Sequence, residues 1–237
     1  MPTTQQIKKT VRDRYAQIAL RDESCCGSEA SSCCDASVTA EAEGDLGLGC
    51  GLPTTFADLQ PGETVLDLGS GAGVDVFYAA RAVGIEGSVI GVDMTPEMIN
   101  RARTSAEQGG YGNVEFRLGD IQHLPLDDSS IDVALSNCVI NLAPDKRQVF
   151  AEIHRVLREG GRFAISDIVT IGEVPDDVRN DADLWAGCLA GALDRAEYLA
   201  IIDDAGFVDI RVATESSWRE PGVDFTTASI TVTARKG

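Results

Sequence analysis

Positive charge is scarce in this sequence. Its 237 residues carry 20 Lys+Arg against 38 Asp+Glu, a formal net charge of −18. No basic patch able to neutralise phosphates can be drawn along it, which argues against a nucleic-acid partner and against an anionic membrane surface. The acidic balance also fits a salt-adapted source, which concerns solubility and not function. Long apolar runs are missing as well. None approaches the roughly 18 to 20 residues that span a bilayer. The start, MPTTQQIKKT, lacks the apolar segment of a secretory signal. The expected compartment is therefore the cytoplasm, which is reducing. Histidine is nearly absent. His123 and His154 are the two present, and neither stands in a nucleophile or ligand pattern, so both read as structural.

Cysteine is plentiful by contrast. Seven is an odd number, and in a reducing compartment it points to free thiols doing chemistry, not to a disulfide framework. Two adjacent pairs, Cys25-Cys26 and Cys33-Cys34, lie in residues 21–51, a stretch rich in Ser, Gly, Ala and acid with no period of either kind. That stretch reads as a mobile surface loop. The pairs lack the C-x₂-C spacing of structural zinc, and adjacent cysteines chelate a tetrahedral ion awkwardly. Before the loop, Ile7, Val11, Tyr15 and Ile18 recur at helical spacing and predict an amphipathic helix over 4–20.

From residue 61 strand and helix alternate. Apolar strands are expected at 63–68, 88–93, 113–118, 131–137 and 162–169. Helices are expected at 74–83, from Thr95 to about 108 and at 145–158, the last stopped by Gly160-Gly161. Thr95-Pro96-Glu97 reads as a hydroxyl-capped helix start. Helices at about 178–191 and 195–205 precede two alternating segments, 207–212 and 229–234, joined by a loop short enough for a hairpin. The expected fold is α/β: a mostly parallel sheet finished by an antiparallel strand, with helices on both faces. Two parts follow, 1–52 as helix plus Cys-rich segment and 53–237 as the folded domain, with helices about 178–205 as a substrate lid.

TVLDLGSGAG (64–73) places Gly69, Gly71 and Gly73 between a strand and a helix, and Asp93 ends the next strand 20 residues after Gly73. Glycines there let backbone approach a ligand at a helix N-terminus, and the acid can hold ribose hydroxyls. The dinucleotide fingerprint has two residues before its last glycine, whereas Gly71 and Gly73 are separated by one. Asp67 suits a cationic ligand better than a pyrophosphate.

DLGSGAG, GVDMTPEMINRAR (91–103) and GDIQHLPL (119–126) together resemble class I S-adenosylmethionine-dependent methyltransferases, with their Rossmann-like sheet. The resemblance implies that Asp67, Gly69, Gly71 and Gly73 line the methionine end. It implies that Asp93 holds the ribose, that Met94 packs on adenine, that Asp120 reaches its amino group beside Ile121, and that Asn137 faces the methionine moiety. Cys50 in GLGCGLP, Cys138 in SNCVINL and Cys188 in LWAGCLAGAL further resemble the contexts of arsenite methyltransferases. By that resemblance Cys50, Cys138 and Cys188 ligate trivalent arsenic. Cys25 or Cys26 captures it or forms a disulfide with Cys50, and an external thiol of glutathione or thioredoxin type restores the enzyme. Soft thiolates suit a soft ion, and thiolate-bound trivalent arsenic keeps a nucleophilic lone pair. Trp185, one turn before Cys188, is placed either to wall that pocket or to fill core. A small trivalent arsenical, no nucleic acid, no membrane and a monomer are the expected partners. Two other readings stay open: a methyltransferase for a small organic acceptor, and a non-enzymatic thiol protein that sequesters metalloids.

Overall fold

The computed structural model describes residues 3–21, 51–172, 174–179, 181–218 and 225–237. Seven strands form one sheet: β1 (Thr64–Leu68), β2 (Ser88–Asp93), β3 (Val114–Leu118), β4 (Ile131–Asn137), β5 (Leu157–Ile171), β6 (Phe207–Trp218) and β7 (Thr226–Lys236). Their order is β3-β2-β1-β4-β5-β7-β6. The first five run parallel. β7 is antiparallel to both neighbours and sits inside the edge, between β5 and β6. The alternation read from the sequence is thus realised as a parallel sheet with an antiparallel end.

Alternating residues of β1 serve opposite layers. Leu66 and Leu68 join a core built on α5 (Lys146–Val156) and α8 (Arg195–Asp204), with Val149, Phe150, Ile153 and Tyr198. Val65 joins the opposite core with Val76 and Phe77 of α3 (Val74–Val83) and Ile99 and Ala102 of α4 (Pro96–Gly109). Covering both faces is what lets the strands be apolar throughout. Among the described residues the remaining α-helices are α1 (Thr4–Arg21) and three short ones, α2 (Pro53–Phe56), α6 (Asp176–Arg179) and α7 (Ala182–Ala186).

Four local expectations change. Thr95 precedes α4 but its hydroxyl does not cap it. Its N–H donates to Asp93 Oδ1 at 2.7 Å, and its hydroxyl also bonds the Asp93 side chain. The helix expected to 158 ends at Val156, because Leu157 already pairs with Ile131 across the sheet. Gly160 and Gly161 therefore lie within β5. The helix expected over 178–191 is two short helices and a turn. Within that turn Cys188 adopts φ +67°. An ideal Cβ on Gly191 would lie 2.1 Å from the Asn141 carbonyl oxygen, so the chain here is pressed flat against the turn after β4. Close backbone approach, not helix continuation, is what the glycine serves.

Candidate active site

The site is built where β1, β2 and β4 end. Gly69, Gly71 and Gly73 all take left-handed φ, at +67°, +50° and +99°. A side chain at Gly69 would strike Val139 at 2.3 Å, and one at Gly73 would meet Phe116 at 2.9 Å, but at Gly71 none of the described residues lies within 4 Å. Two glycines are thus required by packing, while Gly71 leaves backbone open beside free space. Its N–H donates to Asp93 Oδ2 at 3.0 Å. The two Asp93 oxygens are held by backbone N–H groups, which fixes the carboxylate at the strand end and leaves further lone pairs free.

Three carboxylates share this crevice. Asp67 is buried. Desolvation first, then the nearby Asp75 and Asp93 carboxylates, push it well above the usual carboxylate range. Burial also raises Asp93, against the hydrogen bonds from Thr95 and Gly71. Asp75 accepts from Asn137 Nδ2 at 3.1 Å, and the same amide donates to the Gly51 carbonyl at 2.9 Å. Clustered acids raise one another in this way when no cation is among them. A ligand carrying an ammonium and a sulfonium beside an open glycine loop fits that donor set, so the residues suit S-adenosylmethionine.

Asp120, the acid expected on the adenine, accepts from Gln122 N–H through Oδ1 at 2.9 Å. Its Oδ2 is taken by Lys8 Nζ of α1 at 2.5 Å. Ile121 packs instead against the core on the α5 and α8 side. Met94 belongs to another group. With Tyr15, Trp185 and Trp218 it surrounds a cluster formed by Ile7, Val11, Cys138, Leu142, Ile168, Ala186, Cys188 and Ala192. One apolar corner, roofed by α1, therefore joins the residue expected on the adenine to two of the expected arsenic ligands.

The two cysteines are neighbours. Cys188 Sγ donates to the Cys138 carbonyl at 3.1 Å. Cys138 also has positive φ, +57°. Left-handed φ at a non-glycine residue costs about 1–3 kcal/mol and persists only where the surroundings impose it. Cys138 is disulfide-bonded, not the free thiol expected, whereas Cys188 is buried and in no disulfide; the two are not bonded to each other. Cys25, Cys26, Cys33, Cys34 and Cys50 lie outside the described residues. Among the described residues no group of three His, Cys, Asp or Glu is arranged to hold a metal ion.

Sequence reasoning missed Lys8, Asp75 and Lys146. Lys8 and Asp75 sit on helices whose apolar stripe was legible but whose docking was not. Lys146 looks like any solvated first-turn lysine, yet it is buried.

A family model described as a methyltransferase domain matches residues 59–206. The chain belongs to the methyltransferase domain family. The chain is 49% identical to an arsenite methyltransferase of Halobacterium salinarum, over 91% of the chain and 61% of that relative. It is 39% identical to an arsenite methyltransferase of Aquipseudomonas alcaligenes, over 78% of the chain and 58% of that relative. The chain thus spans about three fifths of the length of these curated relatives. The crystal structure of an arsenic(III) S-adenosylmethionine methyltransferase from Chlamydomonas reinhardtii superposes with a TM-score of 0.71 at 38% identity, covering 78% of this chain and 66% of that one. No described helix is long and apolar enough to cross a membrane.

Proposed function

We propose that this methyltransferase transfers a methyl group from S-adenosylmethionine to trivalent arsenic held by cysteine thiolates. The observation that carries the reading is the placement of Cys138 and Cys188 side by side in the apolar corner that also holds Met94. The likeness to arsenite methyltransferases supports it. Asp67, Gly69, Gly71, Gly73, Asp93, Met94, Asp120 and Asn137 would hold the cofactor, which supplies an electrophilic sulfonium methyl when bound.

The chain's own part is capture and aim. Cys138, Cys188 and Cys50 ligate arsenic as thiolates, and Cys25 or Cys26 delivers it. The trivalent ion keeps its lone pair, so no proton leaves the attacking atom and no general base is required. Positioning and the exclusion of water by the corner under α1 supply the catalysis. A disulfide-bonded Cys138 cannot ligate. An external thiol of glutathione or thioredoxin type must first reduce it by exchange, the two reducing thiols ending as a disulfide. A reducing compartment such as the cytoplasm suits this cycle, and no step needs a second copy of the chain.

Incubation of the protein with arsenite, S-adenosylmethionine and glutathione should yield methylarsenicals by mass spectrometry, and none should form with Cys188→Ser. Product from that variant would remove Cys188 from the ligand set. Binding of S-adenosylmethionine without any methylarsenical from wild type would return the acceptor to organic molecules.

A further inference from the structure

Under the two cysteines lies a buried polar network that the transfer itself does not use. Asp167, on β5, is fully buried. It accepts from Asn141 N–H at 3.2 Å, from Ile168 N–H at 3.1 Å and from the Tyr198 hydroxyl at 3.3 Å. Lys146, the first residue of α5, is only 6% exposed. Its ammonium donates to the carbonyls of Asn141 at 3.3 Å and Ala143 at 3.0 Å. The same ammonium lies 5.6 Å from the centroid of the Trp185 ring. Trp185 Nε1 donates in turn to the Leu142 carbonyl at 3.3 Å.

These contacts converge on the two chain segments that carry the thiols. Residues 140–143 form the turn directly after Cys138, whose N–H is held by the Ser166 carbonyl at 2.8 Å. Trp185 leads into Cys188, whose N–H bonds the Trp185 carbonyl at 3.0 Å. Asn141 is gripped from both sides, its N–H by Asp167 and its carbonyl by Lys146. Gly191 lies against that same carbonyl. One ammonium therefore ties the segment of Cys138 to the segment of Cys188.

An apolar core could fill this space without burying charge, and such a replacement is often neutral or stabilising. Here burial pulls Lys146 down to about 8 and pushes Asp167 up to about 7, each partly offset by the other's charge. Asn141 Oδ1 is buried with no hydrogen-bond partner among the described residues. Cys138 and Cys188 are both held in left-handed conformations. Arrangements that forgo stability in this manner are found where surroundings must impose a strained geometry.

We propose that Lys146 is a positioning residue for the thiol pair: its ammonium, with Asp167 bracing Asn141 from the other side, locks the turn after Cys138 and the Trp185–Cys188 segment together so that both sulfurs address one substrate atom. The inference rests on the arsenical reading above. It predicts that the network governs affinity for the thiol-bound substrate and leaves the cofactor site untouched.

Lys146→Met removes the ammonium and keeps an unbranched apolar stem. Lys146→Arg keeps a cation, and a cleft of about 300 Å³ beside Lys146, lined also by Arg147, Trp185 and Glu197, gives the longer group room. Full-length protein, reduced and then freed of reductant, would be titrated with arsenite and separately with S-adenosylmethionine. Methylation kinetics and thermal midpoints would be recorded alongside. Lys146→Met should raise the arsenite Kd and KM by about tenfold or more, with the S-adenosylmethionine Kd within about twofold of wild type, and Lys146→Arg should recover most of the loss. Trp185→Phe, a milder change that deletes the indole N–H, should raise the arsenite Kd severalfold in the same selective way. Unchanged arsenite affinity in Lys146→Met, or a parallel fall in both affinities and in thermal midpoint across all three variants, overturns the positioning role alone. Wild type that binds S-adenosylmethionine but no arsenite overturns the arsenical reading, and this inference with it.

Discussion

At the residue scale the crevice is governed by clustered negative charge. Asp67 is raised by burial and by the carboxylates of Asp75 and Asp93. For the protein alone the sign follows from linkage. An acid whose folded pKa is raised contributes stability that is fully present below its unfolded value of 3.8 and is lost as pH rises through the raised value. Ligand binding has the opposite slope. A cationic ligand favours the ionised carboxylate, so binding releases a proton and tightens as pH rises. Titration calorimetry should show S-adenosylmethionine affinity weakening as pH falls, by up to about tenfold per unit below the raised pKa. Asp67→Asn should flatten that dependence and weaken binding at the alkaline end of the profile by about tenfold. A flat wild-type profile would contradict the role given to Asp67.

At the element scale the amphipathic stripe of α1 turns out to be the roof of the site. Ile7 and Val11 are buried in the cysteine corner, and Tyr15 and Ile18 reach over Ala72 and Met98. Arg101 of α4 donates to the Ala19 carbonyl at 3.2 Å and holds the far end. The Lys8–Asp120 pair ties the near end, with the two side chains 29% and 33% exposed, which keeps its worth at about 1 kcal/mol or less. Asp120 is also the acid expected on the adenine amino group, so Lys8 competes for it. Lys8→Met should therefore tighten S-adenosylmethionine binding, by no more than about fivefold. Weaker binding in that variant would instead make Lys8 part of the cofactor site.

At the scale of the whole molecule the net charge of −18 is the dominant long-range feature. Self-repulsion of this size opposes the compact state, and the Debye length shrinks from about 10 Å at 0.1 M salt to about 3 Å at 1 M. Exposed pairs such as Arg147–Asp204 lose little, being worth little. The thermal midpoint should rise by about 5 °C or more between about 0.1 M and 2 M potassium chloride, read by circular dichroism. A falling midpoint would mean that ion pairs outweigh the repulsion.

Local sequence was enough to place the sheet and the glycine loop. Buried parallel strands must be apolar on both faces, left-handed turns demand glycine, and Pro96 marks a helix start, so β1 to β4, α3 and α4 were legible to within a residue or two. These are local demands, satisfied by neighbours in the chain. Tertiary structure alone decided the rest. β5 begins at Leu157 because Ile131 pairs with it from a distant segment. Thr95 gives its hydroxyl to Asp93 and not to its helix because the crevice offers a carboxylate. The stretch around Cys188 is a turn because the Asn141 carbonyl meets it at Gly191. Lys146 is buried because Trp185, 39 residues later, closes over it. No periodicity encodes such contacts: apart from the Thr95–Asp93 bond, each joins residues far apart in sequence whose approach is set by how the layers pack.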